Sequence, residues 1–116
     1  MFESIEDVKN YIAETARKYS KQFVTDNYSI EYSNRLKRSL GSTRTRYLFG
    51  VPIEIKFVFN NKYLLSFEKN SEDIINTVLH EMAHAIAGNH HHHDAYWKQC
   101  CCRIGARPER FTSVEY

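Results

Sequence analysis

The segment His80-Glu81-Met82-Ala83-His84 constrains this chain more than any other, because its residue types and spacing answer to chemistry as well as to folding. Two histidines four residues apart lie one above the other on one face of an α-helix, so both imidazoles can reach a single metal ion. A glutamate beside the first histidine stands close enough to hold and deprotonate a water at that metal. The flanking residues agree with a helix. Asn70 or Ser71 offers an N-cap, Glu72 and Asp73 put acids in the first turn, and Gly88 marks the stop. Ile75, Val78, Leu79, Met82 and Ile86 form the expected apolar stripe, which leaves Thr77, His80, Glu81 and His84 turned largely away from it.

A catalytic zinc needs three protein ligands and one open position, so two histidines on a helix call for a third partner. His90, His91, His92 and His93 follow the helix directly, and a histidine tetrad beside two other ligand histidines points to at least one more ligand among them. Two registers compete. Six residues after His84 stands His90, the third ligand in the metzincin pattern H-E-x-x-H-x-x-G-x-x-H, but Ala87 occupies that pattern's glycine position, Gly88 comes one place late, and no methionine follows to supply a Met-turn. The other register is anchored downstream. In His93-Asp94-Ala95-Tyr96-Trp97 a histidine precedes a large aromatic by four residues at the start of a helix, so the indole can pack the metal site against the core.

The rest of the chain reads as one domain, residues 1–116, with no repeat, linker or low-complexity stretch. Ser4 with Asp7 resembles a capping box, and Ile5, Val8, Ile12, Ala16, Tyr19 and Phe23 follow at helical spacing, predicting an amphipathic helix over 4–22. Residues 28–33 and 53–59 read as strands, the latter alternating Ile53, Ile55, Phe57 and Phe59 with Glu54, Lys56 and Val58. Asn60-Asn61 is a turn signal, and 62–67 reads as a short strand or an extended lead into the motif helix. A last helix is expected from about Asp94 to Ile104, with Gly105 past its end. The expected architecture is α+β: an N-terminal helix, a small and mostly antiparallel sheet, the H-E-x-x-H helix and a C-terminal helix, as in zincin-like metallopeptidases.

No apolar run approaches a membrane span, and the N-terminus lacks a basic n-region followed by an apolar h-region, so the expected setting is the cytoplasm or nucleus with no membrane partner. Three adjacent cysteines, Cys100, Cys101 and Cys102, suit a reducing compartment and read as small apolar residues on the last helix. The net charge of +2 announces no nucleic-acid partner by itself. Arg35, Lys37, Arg38, Arg44 and Arg46 nevertheless cluster without an acid between 35 and 46, which suits either phosphate contact or a solvated hairpin with outward charges.

The H-E-x-x-H motif followed by His93-x-x-x-Trp97 resembles the SprT-like (Spartan-type) zinc metallopeptidases, whose pattern is H-E-x-x-H, a loop of variable length, then H-x-x-x-[FW]. The segment Asn34-Arg35-Leu36-Lys37-Arg38-Ser39-Leu40-Gly41 and the strand at Ile53–Phe57 also look like that family's approach to its motif helix, so the resemblance spans roughly residues 30–110. It implies zinc held by His80, His84 and His93, Glu81 as general base, and hydrolysis of peptide bonds. Family members often add a cysteine-rich zinc ribbon. Cys100, Cys101 and Cys102 lack the paired C-x-x-C spacing a ribbon needs, so a minimal form without it is expected. A substrate in extended conformation would add to a sheet edge, with 53–59 or 62–67 as the edge expected from sequence. The alternative reading is a zinc-stabilised module that binds nucleic acid or protein without peptidase activity.

Overall fold

The computed structural model describes residues 2–36, 39–88 and 94–106. Helix α1 spans Ile5–Tyr19 and runs on into a short 3-10 turn, Ser20–Gln22. Its start is set by Ser4, whose hydroxyl accepts from the Asp7 backbone N–H, while the Asp7 carboxylate accepts from the Glu3 N–H. Val8, Ile12 and Ala16 are fully buried along the expected stripe.

Three strands follow: β1 (Tyr28–Ser33), β2 (Gly41–Leu48) and β3 (Val51–Asn60). Their order is β1-β3-β2, with β3 parallel to β1 and antiparallel to β2, so the sheet is mixed. Burial explains the arrangement. β3 carries Ile55, Phe57 and Phe59, all fully buried, and the most apolar strand takes the centre, where both edges are paired and one face meets the helices. The expectation that 53–59 supplies a free edge is thereby corrected: the edges are β1 and β2. β2 joins β3 through a two-residue turn, Phe49-Gly50, with positive φ at both positions (51° and 79°), the backbone that matches the right-handed twist of a hairpin.

Asn60 is the hinge between sheet and helices. Fully buried, it ends β3, and its side-chain oxygen accepts from the Lys62 and Tyr63 N–H groups to cap the next helix. Its amide nitrogen donates to the Leu36 and Ser39 carbonyls and ties down the approach to β2. That helix, α2 (Asn61–Leu65), replaces the short strand or extended lead expected over 62–67. The asparagine pair is a helix cap, and Tyr63 and Leu64 are buried on a helical rather than an alternating pattern.

Helix α3 spans Phe67–Ala87, beginning earlier than the cap expected at Asn70 or Ser71. Asn70 leaves helical geometry (φ −123°, ψ 26°), so the chain does break there, but as a kink between two helical pieces. Its side-chain nitrogen donates back to the Ser66 carbonyl, and the Ser71 hydroxyl donates to the Phe67 carbonyl at 2.6 Å, which ties both residues to the preceding turn. Helix α4 spans Ala95–Arg103, capped by the Asp94 carboxylate accepting from the Trp97 N–H. The elements form two layers, with one face of the sheet under the helices and α3 packed against α1, β2 and α4. Among the described residues no helix is long and apolar enough to cross a membrane.

Candidate metal and catalytic centre

α3 is buried on more than its apolar stripe. Val78, Met82 and Ile86 are buried as expected, but Ile75 and Leu79 are only half-buried, whereas Thr77 and His80 are buried. The cause is α4, which covers the histidine face. Trp97, fully buried, meets His80 edge-on at a centroid distance of 5.1 Å (74° between planes) and stacks on His84 at 5.1 Å (24°). One indole therefore packs against both histidines of the motif, which is the packing role that the His93-x-x-x-Trp97 spacing assigned to it.

The neighbouring polar groups hold these side chains further. Buried Asn76, one turn before His80, places its side-chain nitrogen 3.4 Å from His80 Nε2. An amide N–H donating there would occupy the Nε2 lone pair, so that contact would have to give way wherever Nε2 ligates a metal. The Tyr63 hydroxyl and Thr77 Oγ1 share a buried hydrogen bond of 3.3 Å, which joins α2 to the turn before the motif. At the other end, Gly88 adopts φ 90° and ψ 169°, a region essentially closed to other residues, and its N–H donates to the His84 carbonyl at 2.8 Å. A Cβ at Gly88 would lie 3.0 Å from the Tyr47 hydroxyl, so β2 presses on the helix terminus as well as on its middle.

Glu81 faces β2. The Thr43 hydroxyl lies 2.8 Å from Glu81 Oε1 and 3.0 Å from the Glu81 carbonyl oxygen. In the metal-free chain burial pushes the Glu81 carboxyl up to about 7, and the hydrogen bond from Thr43 opposes part of that rise by favouring the carboxylate. A carboxyl so placed exchanges a proton readily near neutrality, as a general base and acid must. Neither Thr43 nor Asn76 is singled out by the motif. The signal for Thr43 is the alternation of β2, where Ser42, Arg44 and Arg46 point outward while Gly41, Thr43, Thr45 and Tyr47 face inward.

Among the described residues no three His, Cys, Asp or Glu side chains gather around one point. Two imidazoles, His80 and His84, are brought together. The expected third ligand His93, its competitor His90, and His91 and His92 lie outside the described residues, as do Lys37 and Arg38 of the basic segment. What is described fits a zinc ion: two nitrogen donors on one helical face, with a carboxylate beside them that is bonded elsewhere. Of the remaining basic residues, Arg35, Arg44 and Arg46 are exposed, and Arg46 pairs with Glu54 at 3.4 Å. Cys100 and Cys101 are buried on α4 and Cys102 is exposed, in keeping with their reading as helix-packing residues. Tyr96 is 40% exposed at the start of α4.

The family model described as the SprT-like family matches residues 8–115. No curated protein and no solved structure matches the chain.

Proposed function

Since the chain belongs to the SprT-like family, we propose that it is a zinc-dependent endopeptidase in which Glu81 is the general base and His80, His84 and His93 hold the metal. One observation carries this reading: His80 and His84 pack on a single buried indole while Glu81, between them in sequence, is bonded to the neighbouring strand. A purely structural zinc site has no use for a carboxylate so held. Zinc, when bound, supplies Lewis acidity that polarises the scissile carbonyl and lets a water give up its proton near neutral pH. Glu81 accepts that proton and returns it to the leaving amine. Trp97 keeps the imidazoles oriented, so little reorganisation accompanies the reaction.

The sheet favours one class of substrate. β2 is an edge strand of the described sheet lying along α3, and an extended segment would pair with its outer side. Unstructured polypeptide is therefore the expected substrate. A role for DNA beside the substrate rests on the outer face of the hairpin, where exposed Arg44 stands opposite Lys56, whose own charge is met by Glu31 at 3.5 Å. The three free thiols favour a reducing compartment, cytoplasm or nucleus.

Glu81→Gln tests the reading. It should keep zinc and fold but lose cleavage of a disordered protein such as casein, and activity equal to the wild type would refute the peptidase. A binding module would instead show salt-sensitive binding to DNA that survives the substitution. Metal content after mild chelation assigns the third ligand: His93→Ala should lose zinc far more than His90→Ala.

A further inference from the structure

We propose that Thr43 is the positioning residue for Glu81, and that Gly41 gives the carboxylate the room to be held there. The inference rests on the peptidase reading for its kinetic consequence, though the contact itself does not. β2 points Gly41 and Thr43 at the same stretch of α3. A Cβ at Gly41 would come within 3.4 Å of Glu81 Cγ and 3.2 Å of Phe59 Cδ1. The absent side chain therefore leaves the space along which the Glu81 methylene chain lies, between strand and aromatic core. No positive φ is required of this glycine, so close approach is its role.

Thr43 then grips the far end. Its single hydroxyl proton faces two acceptors of one residue, Oε1 at 2.8 Å and the backbone carbonyl at 3.0 Å. The charged oxygen is the stronger acceptor, and the carbonyl fixes where the hydroxyl must sit. A β-branched side chain also has few rotamers to choose from on a strand, so threonine holds this geometry more firmly than serine would. Oε1 is thereby engaged. Oε2, which accepts no hydrogen bond from the described residues, is left as the oxygen that takes the proton. The same strand offers the edge on which an extended substrate would lie, so Thr43 ties the position of the base to the strand that aligns the substrate.

Thr43→Val keeps the shape and removes the hydroxyl, and Thr43→Ser restores it. With casein-derived peptide, Thr43→Val should lower kcat about 10- to 100-fold with KM within about twofold, and Thr43→Ser should recover most of the loss. Zinc content and thermal midpoint should remain close to wild type. A second measurement needs no metal and no turnover: in apo protein labelled with 13C at glutamate side-chain carboxyls, the signal absent from Glu81→Gln should move in Thr43→Val and not in Thr43→Ser. An unmoved signal overturns the proposal. So does an active wild type whose kcat survives Thr43→Val, or a loss that follows zinc content and stability. If the wild type cleaves nothing, or Glu81→Gln cleaves as well, the peptidase reading has failed, and the carboxyl signal alone decides whether Thr43 holds Glu81.

Discussion

Trp97 should govern zinc affinity without touching zinc. It is fully buried, and its indole is the shared surface for both motif histidines. Trp97→Leu leaves an apolar side chain in the core but removes two ring contacts, each worth about 0.5–1.5 kcal/mol beyond buried area. The smaller side chain also leaves a void. At about 24 cal/mol per Å³, a void of roughly 50 Å³ costs about 1 kcal/mol. The sum, about 2–4 kcal/mol, is large against a typical domain stability of about 5–15 kcal/mol but need not unfold the chain. Freed from the indole, His80 and His84 must be ordered by the metal itself, and zinc affinity should fall about 10- to 100-fold, or about 1.4–2.7 kcal/mol. Urea unfolding in the presence of chelator measures the first quantity, and competition with a chromogenic chelator the second. Ile12→Ala is the control. This residue is fully buried on α1, which supplies nothing to the site, and its truncation should cost a similar about 2–5 kcal/mol while leaving zinc affinity unchanged. Wild-type zinc affinity in Trp97→Leu, or an equal loss in Ile12→Ala, would refute the reasoning and reduce Trp97 to ordinary core.

Two further outcomes are expected from groups outside the site. Phe49, 96% exposed, sits at φ 51° in the hairpin turn, so Phe49→Asn gives up almost no burial and relieves about 1 kcal/mol of backbone strain; calorimetry should show a melting temperature higher by roughly 3–6 °C, and a fall would contradict the turn assignment. Iodoacetamide at pH 8 should label one thiol quickly, Cys102, because burial raises the Cys100 thiol and pushes that of Cys101 up to about 12, leaving only about one part in ten thousand of the latter as thiolate. Mass spectrometry of the native protein counts the labels, and a second rapid adduct would show that α4 opens readily.

Much of this architecture is legible in one dimension because its signals are local. Ser4 and Asp94 cap helices where their side chains can reach the next turn, and Gly88 stops α3 because few other residues tolerate its backbone. Local rules also explain the misreadings. Asn60-Asn61 reads as a turn because asparagine suits turns and helix caps alike, and the buried contacts of Asn60 with Leu36 and Ser39 are what favour the cap. Asn70 marked a real break whose nature depended on α2 abutting α3 end to end. Thr77 and His80 lie off the apolar stripe yet are buried, because periodicity identifies one apolar face and is blind to a second element lying on the polar one.

The sequence by itself determined the motif, its helix and the pairing of two histidines on one face, since helical spacing is a property of residues a turn apart. Tertiary structure decided that β3 is central and β2 the edge, that Trp97 lies against both histidines, and that Thr43 meets a glutamate 38 positions away. Strand order and the packing of one element on another are settled by which apolar faces can be buried together. That competition runs over the whole chain, and no window of neighbouring residues contains it.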